Sequence, residues 1–136
     1  MSISIVQLGS PRRPGEGVRL GTVRRPPRGV PKNQWAKLGY FDVWYPVLAP
    51  SARLMRATRT AFARKHEVKV WNTFTRKFRA EMSQRDASRT LDVLAALSRA
   101  ANFSVGCYCE EERWCHRGIL RKLLKERRAK VRSLKL

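Results

Sequence analysis

Residues 107–120 read CYCEEERWCHRGIL and join the end of an apolar run to the start of a basic helix. The run before this stretch, residues 103–109, predicts a buried strand. A polar loop over residues 110–114 follows, and Cys115 opens the helix. A strand that leads through a loop into a helix N-terminus is typical of α/β folds, and the unpaired N–H groups of the first helical turn favour negative charge there.

The rest of the chain supplies two earlier strands, predicted over residues 2–8 and 18–23. Helices are predicted over residues 51–65, over residues 68–82, and up to about residue 101. A chain of 136 residues has the size of a single domain. The pattern therefore predicts one domain over residues 1–136, a small three-layer α/β/α fold with a short, mostly parallel sheet and a basic tail at residues 130–136.

The predicted helices have distinct faces. Ser51 is expected to cap the first, and Asp86 or Ser88 the third. The polar face of the first carries Arg53, Arg56, Arg59 and Arg64. The second has an apolar stripe that predicts core packing: Trp71, Phe74, Phe78 and Met82. The third is predicted to turn inward Leu91, Leu94, Ala95 and Leu97. The last helix is predicted to bury four apolar residues: Ile119, Leu120, Leu123 and Leu124. Its predicted solvent-exposed face carries five cations: Arg121, Lys122, Lys125, Arg127 and Arg128.

The composition is strongly basic, with 30 Lys and Arg residues against 10 Asp and Glu residues and a formal net charge of +20 at pH 7. Nucleic acid is the usual partner of such a chain, because phosphate contacts supply salt-sensitive affinity. An alternative stays open, in which the charge reflects an organism whose proteins are rich in arginine.

The sequence predicts a cytoplasmic protein without membrane association. No apolar run approaches the ~20 residues that a membrane span needs, and residues 1–10 do not have the pattern of a secretory signal. Cys107, Cys109 and Cys115 lie together rather than in pairs spread over the chain. That distribution does not fit a secreted disulfide framework, so a reducing compartment suits them.

A stiff cationic loop, RRPPRGVPK, spans residues 24–32 directly after the second predicted strand. Its prolines exclude helix and interior strand, so its cations have little ordering entropy to lose on binding. The candidate ligand-binding residues are Arg24, Arg25, Arg28 and Lys32. If the strands at residues 18–23 and 103–109 are parallel, this loop and the start of the last helix face one cavity. A solvated charged loop is the alternative.

Cys115, His116 and Arg117 are the candidate catalytic residues. A thiol at a helix N-terminus beside a histidine and an arginine has surroundings that lower a thiol pKa and create a nucleophile. Anion binding and simple packing are the alternatives. With Cys107 and Cys109, the same segment forms a C-x-C-x5-C-H set of zinc-ligand types. The side chains of the adjacent residues 115 and 116 are expected to diverge, so we predict no metal site and no cofactor.

Together these blocks resemble the domain-of-unknown-function family 488. VRLGTVRRPPRGVPK is similar to an early strand and a Trp-Pro-Arg-Gly-Val-Ser-Lys-like loop of that family, with Val23 in place of its usual aspartate and Pro26 in place of its tryptophan. Further matches are Trp44 with Ala49-Pro50-Ser51, the block from Trp71 to Glu81, and residues 105–120 with their Cys-His-Arg. The resemblance implies a single α/β domain with convergent cationic segments, and no established reaction.

The favoured function is an anion-binding or phosphate-binding module whose partner is nucleic acid or another phosphate-bearing ligand. Its expected contacts are Arg24, Arg28, Lys32, His116 and Arg117. One alternative is an enzyme in which Cys115 attacks an anionic substrate. Another is a structural or assembly protein that packs through Trp35, Trp44 and Tyr45. Whether any reaction is catalysed, and the oligomeric state, stay open at this point.

Overall fold

Four parallel strands form the sheet. The computed structural model describes residues 1–62 and 67–133. Its strands are β1 (Ile3–Gln7), β2 (Val18–Gly21), β3 (Val43–Trp44) and β4 (Phe103–Cys107). Their order across the sheet is β1-β4-β2-β3, and each neighbouring pair is parallel. The predicted α/β class with a parallel sheet is confirmed, and β3 has no counterpart among the predicted strands.

Four α-helices, counted over the described residues, cover one face of this sheet. They are α1 (Ala52–Phe62), α2 (Glu67–Met82), α3 (Arg85–Leu97) and α4 (His116–Glu126). Their apolar residues form one buried cluster with the side chains of Ile3, Phe103 and Val105 from the sheet. Among the described residues, no helix is both long and apolar enough to cross a membrane. The predicted core role of the stripe on α2 is confirmed, since its members belong to this cluster or pack against it.

Loops and short 3-10 helices, rather than α-helices, form the layer on the second face. Arg19 of β2 is fully buried in this layer. Its guanidinium donates to both carboxylate oxygens of Glu16 at 2.8 and 3.0 Å. It also donates to the carbonyl oxygens of Ser10 and Gly39, at 3.0 and 2.6 Å. Ser104 of β4 adds a hydroxyl donor to Glu16 at 3.0 Å, so a buried polar network holds the loops on the sheet.

The first helix begins as predicted. The Ser51 hydroxyl accepts a hydrogen bond from the Leu54 N–H at 3.1 Å, which satisfies one of the unpaired donors of the first turn. The Glu81 carboxylate in turn accepts the Ser51 hydroxyl at 2.5 Å and the Ser51 N–H at 2.8 Å, tying α1 to α2. Arg64 and the predicted end of this helix at residue 65 lie outside the described residues.

The ends of the third helix differ from those predicted. It begins at Arg85 without a side-chain cap. The caps predicted at Asp86 or Ser88 are therefore wrong, because both residues lie inside the first turn. The helix ends at Leu97, whose carbonyl accepts the N–H groups of two following residues in a turn toward β4. Leu97 lies at this end and is 44% exposed rather than turned inward.

The last helix buries its leucines as predicted, but Arg121 is buried instead of solvated. Its Nε and Nη2 donate to the Glu112 carboxylate at 2.6 and 3.0 Å, and its Nη1 donates to the Arg132 carbonyl at 2.7 Å. Burial of this cation is tolerated because it is paired and hydrogen-bonded on every side. Part of the polar face of α4 therefore packs against the loop that precedes this helix.

The chain beyond the last helix returns to the sheet. The Ile3 N–H donates to the Lys130 carbonyl at 2.9 Å, and the Arg132 N–H donates to the Ile3 carbonyl at 2.7 Å. Val131 thereby forms a parallel bridge to β1. Residues 130–132 of the predicted basic tail are therefore docked rather than frayed, and residues 134–136 lie outside the described residues.

Substituting Glu16→Gln should destabilise the fold, because it leaves the Arg19 guanidinium buried without its counter-charge. We expect a loss of about 3–5 kcal/mol in the free energy of unfolding at neutral pH, measured by urea denaturation. The exposed Glu110→Gln is the matched control. A loss below ~1 kcal/mol, the range of a surface ion pair, would contradict this account.

The same carboxylate predicts a pH dependence. Burial alone would raise the pKa of Glu16, but hydrogen bonds from Arg19 and Ser104, with the charge of Arg19, bring that pKa below its ordinary value of 4.5. The unfolded chain then takes up this proton first, so the contribution of Glu16 is present above pH 4.5 and is lost as the pH falls through the lower folded pKa. The Glu16→Gln variant should show a shallower loss of stability in acid than the wild type.

Candidate functional site

A cavity of about 510 Å³ lies beyond the carboxyl ends of β2 and β4. Because these strands are parallel neighbours, the segments that follow them leave the sheet at one edge. Arg24 and Arg25 line the cavity from one segment, and Cys115 and His116 line it from the other. The predicted convergence of the cationic loop with the start of the last helix is thus observed for these four residues.

Among the residues whose structure is described, four arginines line this cavity, two of them from α1: Arg24, Arg25, Arg56 and Arg59. No Asp or Glu lines it within residues 1–62 and 67–133. Arg24 is fixed in place, since its guanidinium donates to the carbonyl oxygens of Pro46, Ala49 and Pro50 at 3.0 to 3.2 Å. The other three side chains are exposed, and in the described part of the chain none of them has a hydrogen-bond or ion-pair partner.

Arg28 and Lys32 do not reach the cavity. Arg28 lies inside a turn in which the Val30 N–H donates to the Pro27 carbonyl at 3.3 Å, and Lys32 follows that turn. Gly29 supplies the positive φ of +75° that this turn needs. Both cations are exposed, so the structure divides the predicted ligand-binding set into a pair at the cavity and a pair outside it.

His116 is buried and held in one tautomer. Its Nε2 lies at hydrogen-bond distance from the Thr22 carbonyl, which can only accept, so Nε2 carries the proton and Nδ1 carries a free lone pair. Nδ1 is 3.9 Å from the Cys115 sulfur. Burial lowers the pKa of His116 to about 4, against the partial compensation of the Thr22 bond, so the ring is neutral at pH 7.

Arg117 is also buried, and its guanidinium is directed at the loop between β4 and α4. Its guanidinium donates to the carbonyl oxygens of Cys109 and Glu110. These bonds fix the loop between β4 and α4. Arg117 therefore positions the loop and does not line the cavity, although the sequence groups it with Cys115 and His116.

The three thiols meet at the inner wall of the cavity. Their sulfur atoms all lie within 4.8 Å of one another, and those of Cys107 and Cys109 are 3.9 Å apart. Hydrogen bonds to Cys107 and Cys109, together with burial, raise the pKa of Cys115. Hydrogen bonds from Cys107 and Cys115 lower the pKa of Cys109, which is exposed. The surroundings thus favour a thiolate at Cys109 rather than at Cys115.

Aromatic side chains complete the wall of the cavity. Trp71 and Trp114 both line it, with ring centroids 5.8 Å apart. Tyr108 donates its hydroxyl to the Arg25 carbonyl at 3.0 Å and so fastens the cationic loop to the segment after β4. The aromatic residues proposed for assembly make contacts within the chain: Trp35 with Phe41, Trp44 with the Val23 carbonyl, and Tyr45 with Thr90.

Arg56 and Arg59 are cavity residues that sequence reasoning placed only on the polar face of a helix. Their spacing of three predicts one shared face, and the Ser51 cap predicts where the helix starts. No signal in the sequence says that this face turns toward the ends of β2 and β4. Tertiary packing of α1 against α2 decides that orientation.

Comparison with known proteins identifies the family. The sequence model of DUF488-N3a, described as the active DUF488-N3 subclade, matches residues 3–128. The chain therefore belongs to this DUF488 family, as its motifs predict. No curated protein and no solved structure matches the chain significantly.

Cys109 should react with iodoacetamide before the other two thiols, because it is exposed and its pKa is lowered. We expect a rate at least about tenfold above those of Cys107 and Cys115 at neutral pH. Mass spectrometry of protein kept reduced and treated with EDTA measures the order of modification. The Cys109→Ser variant, as control, should retain only the slow reactions. Faster modification of Cys115 would contradict this order and support the predicted catalytic role of Cys115.

Proposed function

We propose that this member of the DUF488 family binds the phosphate groups of nucleic acid in the cavity at the carboxyl ends of β2 and β4. The observation that carries the proposal is the lining of this cavity, in which the described residues supply four arginines and no carboxylate. Guanidinium groups bind phosphate oxygens in paired hydrogen bonds, which suits a phosphate ligand better than a simple point charge would.

The cavity is prepared for an anion before one binds. Three backbone carbonyls accept hydrogen bonds from the Arg24 guanidinium, and these bonds fix the guanidinium at the wall of the cavity. The helix α4 begins at His116, directly at the cavity, and its positive dipole end adds to the attraction. Arg25, Arg56 and Arg59 remain exposed and available for ligand contacts.

A second groove supports a chain of phosphates rather than a single small anion. It has a volume of about 740 Å³ and runs between α1 and α2. It shares Arg56, Thr58 and Phe74 with the cavity, so the two depressions are adjacent. The groove adds Arg53, Lys69 and Lys77 to the cationic lining. Together the two form a basic track along which a nucleic acid backbone can lie.

The aromatic wall favours an unpaired strand. Trp71 and Trp114 stand beside the arginines of the cavity. Bases of a single strand stack on such side chains, whereas bases inside a duplex are not accessible for stacking. The formal net charge of +20 adds salt-dependent attraction for any such strand.

A cytoplasmic location fits the three free cysteines. An enzyme with Cys115 as nucleophile stays a prediction, and burial of that thiol to 2% exposure with a raised pKa does not favour it.

The triple variant Arg25→Gln, Arg56→Gln and Arg59→Gln should lose affinity for a fluorescein-labelled single-stranded DNA, measured by anisotropy. We expect weakening on the order of a hundredfold at moderate salt, and a decrease of about 2 in the slope of log affinity against log salt concentration. The physical reason is the loss of three phosphate contacts and of the counterions they release.

The matched control removes three cations away from the cavity, with Arg85→Gln, Arg89→Gln and Lys122→Gln. It should lose much less affinity and keep most of the slope. Equal weakening in both triple variants would mean that net charge alone attracts the strand, and tight binding that ignores salt would exclude a phosphate-based interaction. Either result would overturn the proposal.

A further inference from the structure

Phosphate binding leaves the cluster of three thiols unexplained. Cys107 ends β4, and Cys109 follows two residues later on the same side of the extended segment. Cys115 immediately precedes α4 and comes back to the same point, so the three sulfur atoms lie within 4.8 Å of one another. Three thiols from 9 consecutive positions rarely meet without a reason, because packing alone does not require them to face one another.

The spacing of the sulfur atoms is that of a metal centre. Two thiolates bound to one tetrahedral zinc ion, each at about 2.3 Å, lie about 3.8 Å apart. The sulfur atoms of Cys107 and Cys109 are 3.9 Å apart. The remaining sulfur pairs, within 4.8 Å, need to approach by less than about 1 Å to reach the same geometry.

We propose that Cys107, Cys109 and Cys115 bind a soft divalent metal ion, zinc by its ligand preference, and that Nδ1 of His116 completes the coordination. Thiolate and imidazole are the donors that zinc selects over hard cations. Nδ1 of His116 lies 3.9 Å from the Cys115 sulfur, so the side chains of these adjacent residues approach each other, while the donor atoms that all lie within 4.8 Å of one another are the three sulfurs. The proposal does not depend on nucleic acid binding.

The surroundings of His116 match those of a metal ligand. Its Nε2–H is engaged by the Thr22 carbonyl, which leaves Nδ1 with the free lone pair that a metal needs. Ligand histidines usually donate their second N–H to a carbonyl or carboxylate, because that bond fixes the tautomer and the ring orientation. The parallel pairing of β2 with β4 puts the Thr22 carbonyl in this position.

Two fixed cations balance the charge of such a centre. Three thiolates with one zinc ion carry a net negative charge. Arg117 donates to the Cys109 carbonyl on one side, and Arg24 lines the cavity with His116 on the other.

Exposed Cys109 gives the ion a path of entry, while buried Cys107 and Cys115 keep water from the centre.

Cobalt(II), as a spectroscopic substitute for zinc, tests the proposal on the whole reduced chain. We expect saturation at one cobalt per chain, a near-ultraviolet band from thiolate-to-cobalt charge transfer, and the strong visible bands of tetrahedral cobalt. Zinc should displace the cobalt, and X-ray absorption of the zinc form should show sulfur and nitrogen neighbours in a three-to-one ratio. A weak octahedral spectrum without the charge-transfer band would overturn the proposal.

Variants identify the ligands. Cys109→Ser removes an exposed thiol and should lower the cobalt affinity by at least about tenfold, whereas the neighbouring Glu110→Gln, as matched control, should leave it unchanged. Unchanged binding by Cys109→Ser would overturn the assignment. A measurement on the wild type needs no variant to fold: one equivalent of zinc should protect all three cysteines from iodoacetamide, and persistent modification of all three would also refute the site.

Discussion

The parallel pairing of β4 with β2 places the segments that follow both strands at the cavity, while the packing of α1 against α2 brings Arg56 and Arg59 to it. Strands that run in the same direction end at the same edge, so the residue after Gly21 lies beside the end of β4. Thr22 forms hydrogen bonds to both neighbouring segments. Its N–H and hydroxyl donate to the Gly106 carbonyl at 3.1 and 2.9 Å, and its own carbonyl holds His116. The start of α4 is thereby joined to the end of β2 across β4.

Loops cover the second face of the sheet, and a buried polar network holds them there. Arg19 donates hydrogen bonds to the carboxylate of Glu16 and to the carbonyls of two separate loops, which form one buried network. A buried ion pair stabilises little compared with apolar packing, but it defines where its partners must lie. Gly21 extends the same face, because a Cβ there would meet the Phe41 ring at 2.2 Å. Close approach of the loop therefore requires glycine at this position in β2.

Much of the fold follows from local patterns in the sequence. The apolar run before Cys107 and the amphipathic leucines of α4 predict their elements, because burial and periodicity are local properties. Ser51 predicts its cap for the same reason. The end of α3 and the docking of residues 130–132 on β1 depend on contacts between distant segments, so a reading of neighbouring residues does not reveal them.

The cavity was predictable in its place but only in part of its membership. Arg24 and Arg25 follow β2 closely enough for strand direction to place them at the cavity, whereas Arg28 lies in the turn from Pro27 to Val30 and Lys32 lies beyond it, outside the cavity. Arg117 has the sequence position of a site residue, yet backbone carbonyls occupy its guanidinium. The order of Cys115 and Cys109 has a similar cause, since hydrogen bonds among the thiols and burial raise the pKa of Cys115, while hydrogen bonds from Cys107 and Cys115 lower the pKa of Cys109.

The bridge between Val131 and Ile3 has a consequence for how copies of this chain meet. β1 is the outermost strand of its side of the sheet, and a bare outermost strand offers unpaired N–H and C=O groups to any other extended segment. Here residues 130–132 occupy the N–H and C=O groups of Ile3, and they bring Lys130 and Arg132 to this edge. Addition of a strand from another chain is thus opposed at the Ile3 end of this edge by backbone groups already in use, and along it by repulsion between the like charges of Lys130 and Arg132 in two such edges.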